Sequence, residues 1–374
     1  MTVSTEHDRT LATPMWPEPA PLPTPLRPDR LRRAKKAYTT RSVAARLDAS
    51  PDGYTLVDGP DVVPAPGDVV LARVEELGKH TRLESPTGRR QALFVGDEIL
   101  VAYGHRYAPD QFEALVPGDL RPAHLVAAGG IAARATEKHH DIDEPTVIRP
   151  LGLLADARGV VTMRRHAGRT LLPDPAGPPF RPAGPTIIGV VGTSMNSGKS
   201  TTVASIIHGL SRSGLRVTAG KVTGTGAGGD PNGFTDAGAA AVLDFTDFGF
   251  PTTFRLEHGQ VRGILLSLVA QLADPGTDVI VLEIADGLYQ DETARLLADP
   301  LFTDVVDHVI FAADGAAGAA GGVALLRDRG VPVAAVSGVV TSAPLAVREA
   351  RSVLDVPVID TFAFADPDVA TAVL

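Results

Sequence analysis

The run Gly192-Thr193-Ser194-Met195-Asn196-Ser197-Gly198-Lys199-Ser200-Thr201 combines small residues, hydroxyls and one lysine in an order suited to holding phosphate. Backbone N–H groups of such a loop can wrap phosphate oxygens, and a helix starting at its end adds a favourable field. In this pattern Lys199 reaches the β- and γ-phosphates and the Ser200 hydroxyl ligates Mg²⁺. The loop needs a strand before it and a helix after it. The apolar run Thr186-Ile187-Ile188-Gly189-Val190-Val191 supplies the strand, and Val203, Ile206, Ile207 and Leu210 recur at helical spacing behind it. Strand, loop and helix together make a P-loop. Its Gly-to-Gly spacing is one residue longer than the commonest form, because Thr193 stands where that form has glycine.

Further polar residues fall where strands should end. Lys221 closes the next apolar run, and Thr225 follows in a glycine-rich segment. Asp236 sits in Phe234-Thr235-Asp236-Ala237, and Glu283 closes Asp278-Val279-Ile280-Val281-Leu282. A carboxylate at a strand end is a usual Mg²⁺ partner beside a P-loop, and a second lysine would neutralise charge developing in phosphoryl transfer. The expected metal set is Ser200, Asp236 and Glu283, and the expected catalytic set is Lys199, Lys221 and Thr225.

The elements that must position these residues divide the chain. Residues 1–28 carry alternating prolines and predict a disordered tail. Residues 28–47 predict one helix with a basic, solvated face. Residues 54–170 hold short strands bounded by Gly and Pro turns, so 29–170 is expected to be a small β-rich, barrel-like domain with a leading helix. There Tyr103, His105, Arg106 and Tyr107 mark a strand end fit for a ligand edge or a domain interface. His139, His140, Asp141, Asp143 and Glu144 form a run of metal-ligand types that reads more simply as a hydrated loop. Residues 171–185 are a Pro-rich linker. From 186 to 374 strands expected at 215–222, 278–283, 305–312, 331–340 and 356–360 alternate with helices at 256–272, 292–298, 316–327 and 346–354. That is an α/β domain, a parallel sheet with helices on both faces, and its ligand belongs at the carboxyl ends of the strands.

Composition sets outer bounds. The 374 residues are 44% hydrophobic, carry a net charge of −9 and include no cysteine. The acidic balance argues against general nucleic-acid binding, and the missing thiols exclude disulfides and cysteine nucleophiles. No apolar run is long enough for a membrane span and no signal peptide opens the chain, so a cytoplasmic protein without membrane association is expected.

In its C-terminal half the chain resembles the dethiobiotin synthetase family. The likeness rests on Gly192-Thr193 through Gly198-Lys199-Ser200, on Lys221 with Thr225, on Thr235-Asp236-Ala237 and on Glu283. It implies a homodimeric ligase- or transferase-type enzyme using ATP and Mg²⁺ to phosphorylate a small carboxylate- or carbamate-type acceptor. GTP stays open, since the family's base-reading position falls near Thr341. The family has Gly-Ala-Gly-Gly after its Glu where this chain has Ile284-Ala285-Asp286-Gly287, and simple members lack the 54–170 domain; both differences imply a changed acceptor. A lesser resemblance, to P-loop proteins with an extra N-terminal domain, implies N-acyl transfer to an amino acid. The alternative to an enzyme is a nucleotide-dependent switch or delivery protein whose N-terminal domain meets a partner.

Overall fold

Alternation of side chains along the strands explains the C-terminal half. The structure, a computed structural model, describes residues 24–173 and 184–374. The tail expected at 1–28 lies outside them up to residue 23. Its end is ordered: Thr24–Pro25 pairs with Thr55–Val57, and Leu26 is buried.

The expected single helix at 28–47 is two, α1 (Pro28–Arg33) and α2 (Arg41–Ala49). Between them Lys35–Lys36 pairs in parallel with Ile99 and Leu100, because the sheet offers backbone partners that a continuous helix would forgo. The basic run is correspondingly less free than expected. Arg30 forms a bidentate pair with Glu98, both bonds 2.8 Å, and Lys35 pairs with Asp97. Five longer strands follow: β1 (Val69–Glu76), β2 (Glu98–Tyr103), β3 (Ala123–Ala127), β4 (Ile131–Lys138) and β5 (Thr146–Asp156). Their pairings close a circuit. β5 pairs β1, β1 pairs β2, β2 pairs β4, β4 pairs β3, and β3 returns to β5.

The C-terminal sheet consists of β6 (Thr186–Gly192), β7 (Val217–Thr223), β8 (Val242–Asp244), β9 (Val279–Ile284), β10 (His308–Ala312) and β11 (Val333–Ser337). All pairings are parallel, in the order β8-β7-β9-β6-β10-β11. In β6, Ile187 and Val191 enter the core under α5 (His258–Leu272) and α6 (Ala316–Asp328). Ile188 and Val190 enter the opposite core, under α3 (Lys199–Arg212). This two-faced burial makes the strands uniformly apolar. Two elements differ from expectation. Residues 356–360 form no strand, only a bridge from Val358 to Val336, and the glycine-rich segment contains a helix, α4 (Gly229–Asp236). Among the described residues no helix is long and apolar enough to cross a membrane.

Candidate functional site

Strand register builds the centre of the site. β7 and β9 are neighbours with Lys221 directly opposite Glu283, and Val190 of the P-loop strand opposite Glu283 on its other side. Val217, Ala219, Val279 and Val281 face the α3 core, so the two-residue period turns Lys221 and Glu283 to the same face. There α3 begins, with Gly198 at φ +97 as its N-cap. A side chain at Gly198 would be strained, and its Cβ would stand 3.0 Å from Gly338 Cα. The chain thus places Lys199 and Ser200 above the strand ends.

The result is a cavity of about 460 Å³ whose polar lining includes Lys199, Ser200, Lys221, Asp230, Glu283 and Asp286. Ser200 Oγ donates to Glu283 Oε1 at 3.2 Å, and Lys199 Nζ donates to the Ser194 carbonyl at 2.7 Å. Lys221 forms an ion pair with Asp230 and lies 3.6 Å from Glu283. Burial lowers the Lys199 pKa despite nearby Glu283. Burial also works against charge on Lys221, but Glu283 and Asp230 outweigh it and hold its pKa above the ordinary value. Glu283 and Asp286 are both pushed up by burial, against the pull of Lys221. Asp230 is held down, because Lys221 outweighs the cost of its burial.

Of the expected phosphate loop, Met195, Asn196, Gly198, Lys199, Ser200 and Thr201 line the cavity. Gly192, Thr193, Ser194 and Ser197 do not. Gly192 has no room for a Cβ, which would meet Ser197 Oγ at 2.3 Å. Thr225 lines the cavity as expected. Asp236 does not: it is exposed at the last residue of α4. Asp230, in the first turn of that helix, holds the position expected of it, because the helix carries Asp236 away from Lys221. Thr341, near which the family's base-reading position falls, lies outside the cavity lining. Its hydroxyl is buried and donates to the Gly338 carbonyl at 2.8 Å. Among the described residues no group of three or more His, Cys, Asp and Glu is arranged to hold a metal ion, the His139–Glu144 run included. His139 Nδ1 there accepts from the Asp141 backbone N–H.

The N-terminal domain forms part of the wall. Of the four residues at the expected ligand edge, Arg106 reaches the cavity. It is 6% exposed and donates to the Val126 carbonyl at 2.5 Å and to Gln111 Oε1 at 3.1 Å. Asn196, at the tip of the P-loop, donates to Asp110 Oδ2 at 2.8 Å. The Gly228 N–H, just before α4, donates to Glu84 Oε2 at 2.7 Å, and Tyr38 donates to Asp244 at 3.1 Å. Asp230 and Asp286 carried no motif signal of their own. Arg106 had only its place at a strand end.

No protein-family model matches the chain, and a search of characterised proteins by sequence returned no match. Similar solved structures include the signal recognition particle 54 kDa protein of Aeropyrum pernix K1 in complex with GDP, 21% identical over 42% of this chain and 36% of that one, with a TM-score of 0.31. The signal recognition particle receptor FtsY of Elizabethkingia anophelis in complex with GDP is 18% identical over 52% and 67%, with a TM-score of 0.33. FtsY of Thermotoga maritima is 16% identical over 54% and 73%, with a TM-score of 0.32. The chain spans about a third of the length of the first. Likenesses this distant carry no argument about activity. They are, however, signal recognition particle proteins and not dethiobiotin synthetases. The family resemblance is corrected accordingly, and the ligase-type activity it implied is withdrawn. The displaced Asp236 agrees with that correction. What stands is a mixed α/β fold with a parallel six-stranded sheet in its C-terminal half.

Proposed function

We propose that this chain is a Mg²⁺-dependent P-loop nucleoside triphosphatase whose N-terminal domain responds to the phosphate state of the site. The observation that carries this reading is the convergence of Lys199, Ser200, Lys221, Asp230 and Glu283 on one cavity at the carboxyl ends of a parallel sheet. The donor set suits magnesium: Ser200, Asp230 and Glu283 offer only oxygen, and the buried Glu283 Oε2 has no hydrogen-bond partner. These three would hold the ion, which when bound offsets phosphate charge. Lys199 exchanges the Ser194 carbonyl for phosphate oxygens, Lys221 neutralises charge developing on the transferred group, and Asp286 holds the attacking water.

The response of the N-terminal domain is supported by what Lys221 already touches. A phosphate oxygen competes with Asp230 for the Lys221 ammonium. Asp230 belongs to the first turn of α4, and the residue just before that helix is fastened to Glu84 of the other domain. A change at the phosphate therefore pulls on the domain junction, which favours a nucleotide-dependent switch.

The test is hydrogen exchange of residues 84–88 and 228–236 with magnesium and each of ATPγS, ADP, GTPγS and GDP. Protection that differs between tri- and diphosphate supports the reading, and Glu84→Ala should abolish that difference while nucleotide still binds. Absence of magnesium-dependent binding for both nucleotide types would refute it. ATP and GTP enter the test on equal terms.

A further inference from the structure

A second cavity, of about 380 Å³, adjoins the first at the domain junction and shares Arg106 and Thr225 with it. Its charged lining is one-sided: Lys79, Arg82, Arg90 and Arg106 contribute four cations, His80 contributes an imidazole, and no carboxylate takes part. Of the cations, Arg90 has Glu84 at 3.9 Å, and that carboxylate is already engaged by the Gly228 N–H. Among the described residues Lys79, Arg82 and Arg106 have no ion pair.

Arg106 is the decisive member. Its guanidinium is buried, yet Nε finds no hydrogen-bond partner. A buried cation with no carboxylate at ion-pair distance is costly, and an orphaned donor adds to that cost. His80 repeats the pattern at 8% exposure, with Nε2 buried and unpartnered. Burial, then Arg106 and Lys79, lowers the His80 pKa to about 4, so the imidazole is neutral and its field is cationic. Burial likewise lowers Arg106 to about 10. Asp110 and Asp286 favour charge on Arg106 without forming an ion pair with it, and the opposite wall of this cavity is Thr225 and Ala227 of the C-terminal domain.

We propose that this cavity binds a small oxyanion-bearing molecule, a carboxylate or a phosphate ester, which Arg106, His80, Lys79 and Arg82 hold beside the nucleotide. A guanidinium presents paired donors matched to either oxyanion, and the cavity has the size of a small-metabolite site. Shared Arg106 and Thr225 couple the two ligands. That coupling rests on the nucleotide reading above; the anion site itself does not.

The test uses the full chain with histidine-selective isotope labelling, the His80 imidazole resonance being assigned with His80→Gln. Glutarate and inorganic phosphate are the probes, with sodium chloride at matched ionic strength as reference. The expected result is a saturable His80 shift with one or both probes and none with chloride. Lys79→Ala combined with Arg82→Ala, both at exposed positions, should weaken the apparent affinity at least about tenfold. The shift should persist in Lys199→Ala, which weakens phosphate binding at the P-loop. A larger response to glutarate identifies a carboxylate ligand, and a larger one to phosphate identifies a phosphorylated ligand. A His80 response equal to that of chloride, one unchanged in the double variant, or one lost in Lys199→Ala overturns the proposal. Failure of the nucleotide reading shows separately, as absent magnesium-dependent nucleotide binding in the unaltered chain.

Discussion

Replacing Lys221 with methionine keeps the aliphatic stem and removes the charge between Asp230 and Glu283. Glu283 is 2% exposed and Lys221 9%, so the ammonium is the main compensation for a carboxylate that water scarcely reaches. Breaking a buried pair by removing one partner costs about 3–5 kcal/mol. For a domain of this size each kcal/mol lowers the melting temperature by about 2–4 °C, so a fall of roughly 6–20 °C is expected near neutral pH. The sign with pH follows from the carboxyls. Asp230 has a depressed folded pKa, and its contribution is present above the unfolded value and lost as pH falls through the folded one. Lys221→Met removes that contribution. Glu283 is already raised, and without Lys221 it rises further, so its penalty is full above its folded pKa and relieved as pH falls through it. The deficit against the unaltered chain should therefore be larger at pH 8 than at pH 5. Thermal melts followed by circular dichroism at pH 5, 6.5 and 8 measure it. Equal melting at pH 8, or a deficit that grows toward pH 5, would refute the electrostatic account of this site.

Lys199→Ala should weaken triphosphate binding roughly 10- to 100-fold, since charge-assisted hydrogen bonds contribute about 1.5–3 kcal/mol, as read by titration with a fluorescent nucleotide. Asp230→Ala should abolish the magnesium dependence of that binding while Asp236→Ala, at an exposed residue outside the cavity, leaves it intact; the reverse outcome would restore the sequence-based assignment. Gly129→Ala should loosen the domain junction, because its Cβ would stand 1.9 Å from the Gly226 carbonyl oxygen. Overpacking of this kind costs about 1–3 kcal/mol and should appear as faster proteolysis between the domains.

What the amino-acid order determined alone is what consecutive residues can hold. A P-loop is built from ten successive residues between a strand and a helix, so Lys199 and Ser200 were legible from residue type and spacing. Glu283 and Lys221 were legible for a related reason: apolar runs mark parallel strands, and their last polar residues lie at the ligand end. The choice of Asp230 over Asp236 was not legible, because glycine-rich 224–233 resembled a loop and the helix inside it decides which carboxylate meets Lys221. The break after Arg33 was equally hidden, since the parallel partner of Lys35–Lys36 lies more than sixty residues away. Arg106 depended most on tertiary structure. It precedes the P-loop by over eighty residues, and its guanidinium reaches both cavities only because the two domains pack glycine against glycine at Gly129 and Gly226. Spacing along the chain carries no information about such a contact; interdomain packing creates it.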